Sequence, residues 1–189
     1  MAHLCRMKPS LTDMLCMRCG LCCDGSLFAD VELAGGDEAA SLEVMGLEIE
    51  EEELLLQPCA ALQGKRCGIY AYRPECCRTF ECRLLQDARR GAISVARAGE
   101  LIAETLQQVE QVRELSSSLG QRDVRLPLAE RCAEALALAD EAGAVRQCAE
   151  LAAAMKAVEG LIRKTFLRSG GGTVMNHQGT KDPKPEKSL

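Results

Sequence analysis

Aromatic residues are nearly missing from this sequence: there is no Trp, and two Tyr and three Phe make up 3% of 189 residues. A core here must come from Leu, Ala, Val, Ile and Met, a palette that favours packed helices over sheets. Histidine is also scarce, with only His3 and His177. A His-ligated catalytic zinc, the H-E-x-x-H pattern and a Cys-His nucleophilic pair therefore have no residues to draw on. The longest apolar runs are only a few residues, as at Leu54-Leu55-Leu56, far short of the roughly 18 expected of a membrane span. After Arg6 and Lys8 come Ser10, Thr12 and Asp13 instead of an apolar stretch. A cytoplasmic protein without a signal peptide and without membrane contact is expected. Basic charge is in deficit too: 23 Lys and Arg stand against 28 Asp and Glu, a formal net charge of -5. That is the wrong sign for neutralising phosphates, so nucleic acid is not an expected partner.

Cysteine is abundant. Of 12 cysteines, nine fall between positions 16 and 82: Cys16, Cys19, Cys22, Cys23, Cys59, Cys67, Cys76, Cys77 and Cys82. In a reducing cytosol, clustered thiols ligate metal or do redox chemistry more often than they form structural disulfides. The same stretch is acidic, with 7 basic and 14 acidic residues up to position 82, so bound cations would relieve a repulsion that includes Glu50 to Glu53.

Four segments are expected: a flexible start (1–15), a cysteine-cluster module (16–91), a helical region of three helices (92–168) and a disordered tail (169–189) rich in Gly, Pro and Lys. Within the module, residues 38 to 45 read as a short helix ended by Gly46. Residues 48 to 56 read as another, stopping before Pro58 with its Glu run as a solvated face. The stretch from Cys59 to Cys82 reads as loops, with a two-residue strand at Ile69-Tyr70. Further on, Val95, Ala98, Ile102, Thr105, Val109 and Val112 are spaced by threes and fours, an amphipathic stripe ended near Gly120. Leu128, Cys132, Ala135 and Ala139 form a second stripe. Val145, Cys148, Ala152, Met155, Val158, Ile162 and Phe166 form a third. The fold expected is mainly α: an irregular, metal-nucleated cysteine module followed by a small helical bundle, or by a hairpin that dimerises. Monomer and homodimer both fit, as does an unidentified protein partner.

Cys16-Met17-Arg18-Cys19-Gly20-Leu21-Cys22-Cys23 holds two overlapping Cys-x-x-Cys steps and an adjacent fourth thiol. Such spacing lets backbone turns aim several sulfurs at one point, and Gly20 can take the positive φ that turns amides towards thiolates. Cys59, Cys67, Cys76, Cys77 and Cys82 supply enough further sulfur to complete one four-ligand site and build another, and eight thiolates can hold two zinc ions. Cys76 and Cys77 point to different sides of a regular backbone, and Cys76 is taken as the bystander. Iron–sulfur ligation is the rival, because Cys16, Cys19 and Cys22 reproduce the first three ligands of the ferredoxin run. The fourth position is Ser26, so a remote thiol such as Cys59 beside Pro58 would be needed. Met14 and Met17, soft ligands for copper(I), read more simply as packing residues. Cys132 and Cys148 read as small hydrophobes on helix stripes, and Cys5 lies in the flexible start.

Together with Pro58-Cys59, Cys67-Gly68-Ile69-Tyr70 and Arg73-Pro74-x2-Cys77-Arg78-x-Phe80-x-Cys82, this pattern resembles the bacterial CxxCxxCC cysteine-cluster family, described as zinc- or iron-chelating. The resemblance spans about residues 16 to 85. It implies metal ligation by Cys16, Cys19, Cys22, Cys23, Cys59, Cys67 and Cys77, with Cys82 present in many versions. Flagellin lysine methylases share a similar pattern in a much longer chain and imply the alternative, an iron–sulfur redox or methyl-transfer enzyme. This sequence lacks their length and any evident nucleotide-binding Gly motif. Around the cluster, Arg73 and Arg78 are expected to close loops through backbone carbonyls or to donate to thiolates, and Tyr70 and Phe80 to pack over the sulfurs. The expectation is a non-catalytic protein binding one or two centres of zinc or iron, an iron–sulfur cluster among them, with metal supplying folding free energy. A storage role like that of a metallothionein fits less well beside a patterned helical core.

Overall fold

The computed structural model describes residues 10–50, 53–141 and 143–167. Residues 1–9 of the expected flexible start, the tail from 169 to 189, Cys5, His3 and His177 lie outside the described residues. The first helix, α1 (Leu11–Cys19), begins where Ser10 forms a capping box with Asp13. The Asp13 amide donates to Ser10 Oγ and the Ser10 amide to Asp13 Oδ2, each at 3.1 Å. It ends at Gly20, whose φ of 75° is the left-handed conformation that a residue with a Cβ resists; the Gly20 amide donates to the Cys16 carbonyl.

A layer of short elements follows: β1 (Asp30–Glu32), α2 (Gly36–Val44), β2 (Ile49–Glu50), β3 (Leu54–Leu56), β4 (Leu62–Gln63) and β5 (Arg66–Cys67), then a 3-10 turn (Tyr70–Tyr72), α3 (Glu75–Thr79) and α4 (Arg83–Arg89). Strand β3 is central, with β1 and β2 antiparallel on either side, and β4–β5 is a separate antiparallel hairpin. The helix α2 matches the one expected over 38–45. The helix expected over 48–56 is instead the β2–β3 hairpin, in which Ile49 opposes Leu55 and Glu50 opposes Leu54. A helix would spread Leu54, Leu55 and Leu56 over three faces and stack like charges along the Glu run. A central strand buries Leu55 in a small core with Leu33, Ala39, Leu42, Leu47 and Ala61. The strand expected at Ile69-Tyr70 is also displaced. Strand pairing falls at Arg66–Cys67, and Tyr70 opens the 3-10 turn.

Three long helices complete the chain: α5 (Val95–Ser118), α6 (Leu128–Glu141) and α7 (Val145–Thr165), each packed against the other two. They close a bundle within one chain. Ser94 caps α5 by accepting from the Arg97 amide at 3.1 Å. The stripes of α5 and α6 are buried as patterned, except that Val95 at the first turn is exposed. In α7 the buried face runs through Leu151, Val158, Ile162 and Thr165, so Val145 and Ala152, expected on it, lie outside. Cys132 is buried among apolar side chains, as a small hydrophobe, and Cys148 is half-buried. Between α5 and α6 the fully buried Gln121 donates to the Asp123 carbonyl and to Glu134 and accepts from Arg131 Nε at 3.1 Å, which fixes the connection.

The cysteine-bearing helices join this bundle. Leu15 of α1, Leu21 just beyond it, and Leu84 and Leu85 of α4 share one core with Ala98, Ile102, Val109, Leu151 and Phe166. Helix α4 carries no distinctive sequence period, and α3 falls within the stretch expected as loops.

Candidate metal centre

The first three cysteines owe their placement to α1 and its cap. Cys16 and Cys19 stand one turn apart on the helix, and the left-handed Gly20 then reverses the chain so that Cys22 and Cys23 follow in a tight turn, where the Cys23 amide donates to the Gly20 carbonyl at 2.9 Å. Cys82 immediately precedes α4 and, with Cys19, packs against the bundle core. The other sulfurs come from the sheet layer. Cys59 follows Pro58 and hydrogen-bonds through its amide to the Cys23 carbonyl at 2.8 Å. The Leu62 amide donates to the Cys59 carbonyl, and Leu62 pairs with Cys67 across β4–β5, which carries Cys67 towards the same place. Cys77 lies on α3 next to Cys76, which packs with Cys59 against the small core.

Electrostatic neighbours repeat this division. Burial raises the thiol of Cys16 to about 11, and the Cys82 sulfur adds to the rise. Burial raises Cys19 to about 12, and Cys82 and Cys16 add to it. Half-buried, Cys22 is pushed well up, by burial first and then by Cys19, Cys82, Cys23 and Cys16. Burial raises Cys23 to about 12 with Cys59 and Cys67 adding, and raises Cys59 with Cys67 adding. Cys77 is raised chiefly because it hydrogen-bonds Cys76, then by burial, Cys76, Cys23 and Cys59; that same bond lowers Cys76. Cys82 is raised by burial.

Amide donors oppose this cost at three sulfurs. The Leu21 amide favours the Cys19 thiolate and the Ala61 amide that of Cys59, each two residues beyond its sulfur. The amides of Leu85 and Leu84, in the first turn of α4, favour that of Cys82. Such donors delocalise charge from a metal-bound thiolate. Arg73 adds a positive charge that both Cys16 and Cys23 feel. All these cysteines are free thiols. Among the described residues no three Cys, His, Asp or Glu side chains are already drawn close enough together to hold a metal ion. Thiolates on zinc lie about 2.3 Å from a common centre, a convergence the described thiols do not show.

The residues around the sulfurs have mostly structural work. Arg73 Nε donates to the Tyr70 carbonyl at 3.2 Å and its guanidinium sits 3.8 Å over the Tyr70 ring. The Tyr70 hydroxyl donates to Asp13 at 2.9 Å, tying the 3-10 turn to the cap of α1. Phe80 meets Phe28 edge-on at 5.2 Å, and Arg78 is exposed. Met14 is exposed and Met17 half-buried. Cys59, the remote thiol expected to complete a ferredoxin-like set, donates its amide to the Cys23 carbonyl, and the charge of Cys82 is felt by the thiols of Cys16, Cys19 and Cys22. Spacing did not reveal the link to the bundle. Arg113 of α5 pairs with Asp24 at 3.0 Å, the Leu128 amide donates to the Gly25 carbonyl at 2.9 Å, and a Cβ on Gly25 would lie 3.0 Å from Pro127 Cα. Asp24 and Gly25 directly follow the Cys pair, and no periodicity connects them to residues a hundred positions on.

A half-buried cluster of thiols, backed by amide donors and seated beside a helical bundle, is the arrangement of a thiol-ligating metal-binding module. Residues 15–97 match the CxxCxxCC family, whose description reads "Putative zinc- or iron-chelating domain", so the resemblance carried by the cysteine spacing is shown over that stretch. No curated protein and no solved structure matches the chain. Among the described residues no helix is long and apolar enough to cross a membrane.

Proposed function

We propose that this protein binds zinc or iron through Cys16, Cys19, Cys22, Cys23, Cys59, Cys67, Cys77 and Cys82, that the metal organises residues 16–91, and that its role is non-catalytic and cytoplasmic. The observation that carries this reading is that the thiols fall on or beside short elements: the nine-residue α1, the five-residue α3, the start of α4 and strands of two and three residues. The sheet layer has strands of two and three residues, and isolated hairpins of that size are marginal in water. Neutral thiols cost little to bury but contribute little cohesion. Once deprotonated and bound to a metal they become crosslinks, and structural zinc contributes on the order of 10 kcal/mol to the folding of small modules. The chelating description of the matched family supports the same chemistry. Abundant Cys, with no His among the described residues, favours closed four-sulfur coordination over an open catalytic site.

The test is anaerobic purification followed by measurement of zinc, iron and acid-labile sulfide per chain, with an optical spectrum of the same sample. About one or two zinc ions per chain with no visible absorption supports the structural reading. About four irons with matching sulfide would replace it with the iron–sulfur alternative, for which Cys16, Cys19, Cys22 and Cys82 form a ready set. A chain that holds neither metal and takes up neither on reconstitution contradicts metal binding altogether.

A further inference from the structure

The eight proposed ligands are not equivalent in the fold, and their division falls in an unexpected place. Cys16 and Cys19 share one face of α1, Cys22 follows its cap, and Cys82 leads into α4. Helices α1 and α4 pack on each other and bury Leu15, Leu84 and Leu85 in the bundle core, against which Cys19 and Cys82 also lie. Cys23 belongs elsewhere. Its carbonyl receives the Cys59 amide, the Cys59 carbonyl receives the Leu62 amide, and Leu62 opposes Cys67 on the hairpin. This second chain of contacts runs along the small core, where Cys59 and Cys76 pack, and Cys76 is joined to Cys77. Cys77 follows Cys76 on α3, and its thiol feels the charges of Cys23 and Cys59 as Cys23 feels those of Cys59 and Cys67.

We propose that the chain carries two separate four-thiolate metal centres, one formed by Cys16, Cys19, Cys22 and Cys82 on the bundle and one by Cys23, Cys59, Cys67 and Cys77 on the sheet layer. The boundary passes between the adjacent residues Cys22 and Cys23. This rests on the metal-binding reading above and adds ligand assignment and nuclearity to it. At each centre a divalent ion displaces four thiol protons to solvent and leaves a net charge of about -2. Arg73, felt from Cys16 and from Cys23, then stands as a counter-charge to both. The first centre staples elements the bundle already holds. The second closes a layer that has only its small core.

Cys22→Ser and Cys23→Ser, substitutions at neighbouring positions, separate this arrangement from a single polynuclear cluster. The full chain, stripped of metal and titrated with Co2+ alone, is expected to bind about two equivalents with thiolate charge-transfer bands. Each variant is expected to retain about one equivalent. Cys16→Ser and Cys82→Ser should reproduce the spectrum of Cys22→Ser, and Cys59→Ser and Cys67→Ser that of Cys23→Ser. Loss of all cobalt from both variants, or identical residual spectra, overturns the two-centre assignment. Thiol alkylation of the unsubstituted chain at sub-stoichiometric Zn2+, read residue by residue, needs no variant to fold. Protection arising in the two stated sets of four supports the proposal, and protection of all eight in step overturns it. No cobalt bound and no thiol protected at excess metal would instead overturn the metal-binding reading itself.

Discussion

In the bundle, Val109, Val112, Ala135 and Leu151 are fully buried, and each long helix closes its own backbone hydrogen bonds. In the sheet layer the longest strand has three residues, and the core reduces to Leu33, Ala39, Leu42, Leu47, Leu55 and Ala61. At roughly 25 cal/mol per Å2 of apolar surface, the first region has ample hydrophobic drive and the second little to set against the entropy of ordering some fifty residues. Cys59, Cys67, Cys76 and Cys77 fall where hydrophobic cohesion runs thin. Under the proposed function, two regions of one chain use two ways to hold a backbone, side-chain burial and metal crosslinking, and α1 and α4 join them.

The sharpest way to break this comparison is to strip the metal. Both tyrosines, Tyr70 and Tyr72, lie in the cysteine-rich region and the chain has no Trp, so near-ultraviolet circular dichroism reports mostly on that region. Chelation should abolish most of the tyrosine signal, a loss on the order of 10 kcal/mol of folding free energy there. The helical far-ultraviolet signal, carried mostly by α5, α6 and α7, should largely persist. Next in size is the converse. Leu151→Ala opens a cavity in the bundle and should cost about 2–5 kcal/mol in chemical denaturation, with metal content per chain unchanged.

Acidity and alkalinity separate the regions as well. Without metal, the folded chain holds Cys19 and Cys23 at about 12, above the ordinary 9.0. The unfolded chain therefore ionises first: the thiol contribution is intact below pH 9 and lost as pH rises towards 12. Metal-free protein should weaken over that window, and metal-bound protein should resist it but release metal as pH falls, because protons compete for the thiolates. A pH series of melting curves with and without Zn2+ checks both. Smaller again, Ser10→Ala removes the capping box of α1 and should cost about 1 kcal/mol. It should weaken the centre that contains Cys16 and Cys19 more than the other. Arg113→Ala breaks the pair with Asp24 that links α5 to the cysteine loop, and a double-mutant cycle with Asp24→Asn should give a coupling of about 1 kcal/mol or less.

Much of the bundle is legible in the sequence because its signals are local: threes-and-fours spacing on α5 and α6, Gly120 beyond one helix, Pro127 before the next. Along α7, Val158, Ile162 and the capping Phe166 are buried as patterned, whereas nearer its start the larger Leu151 takes the interior position instead of Ala152. The sheet layer is less legible. Its strands are too short for a period, and Glu48 to Leu56 satisfies a helix pattern until the pairing of Leu55 between Val31 and Ile49 is known. For the candidate centre, residue type and spacing identify the cysteines, but grouping depends on tertiary placement. Nothing in the order of the chain groups Cys82 with Cys16 or marks the proposed boundary between Cys22 and Cys23.

Hydrogen exchange on the full chain, metal-loaded and metal-stripped, tests the central claim most directly. If metal holds the cysteine-rich layer, amides between about residues 23 and 80 lose protection on stripping while those of α5, α6 and α7 keep theirs. Unchanged protection across that layer, with the metal demonstrably gone, would contradict the account.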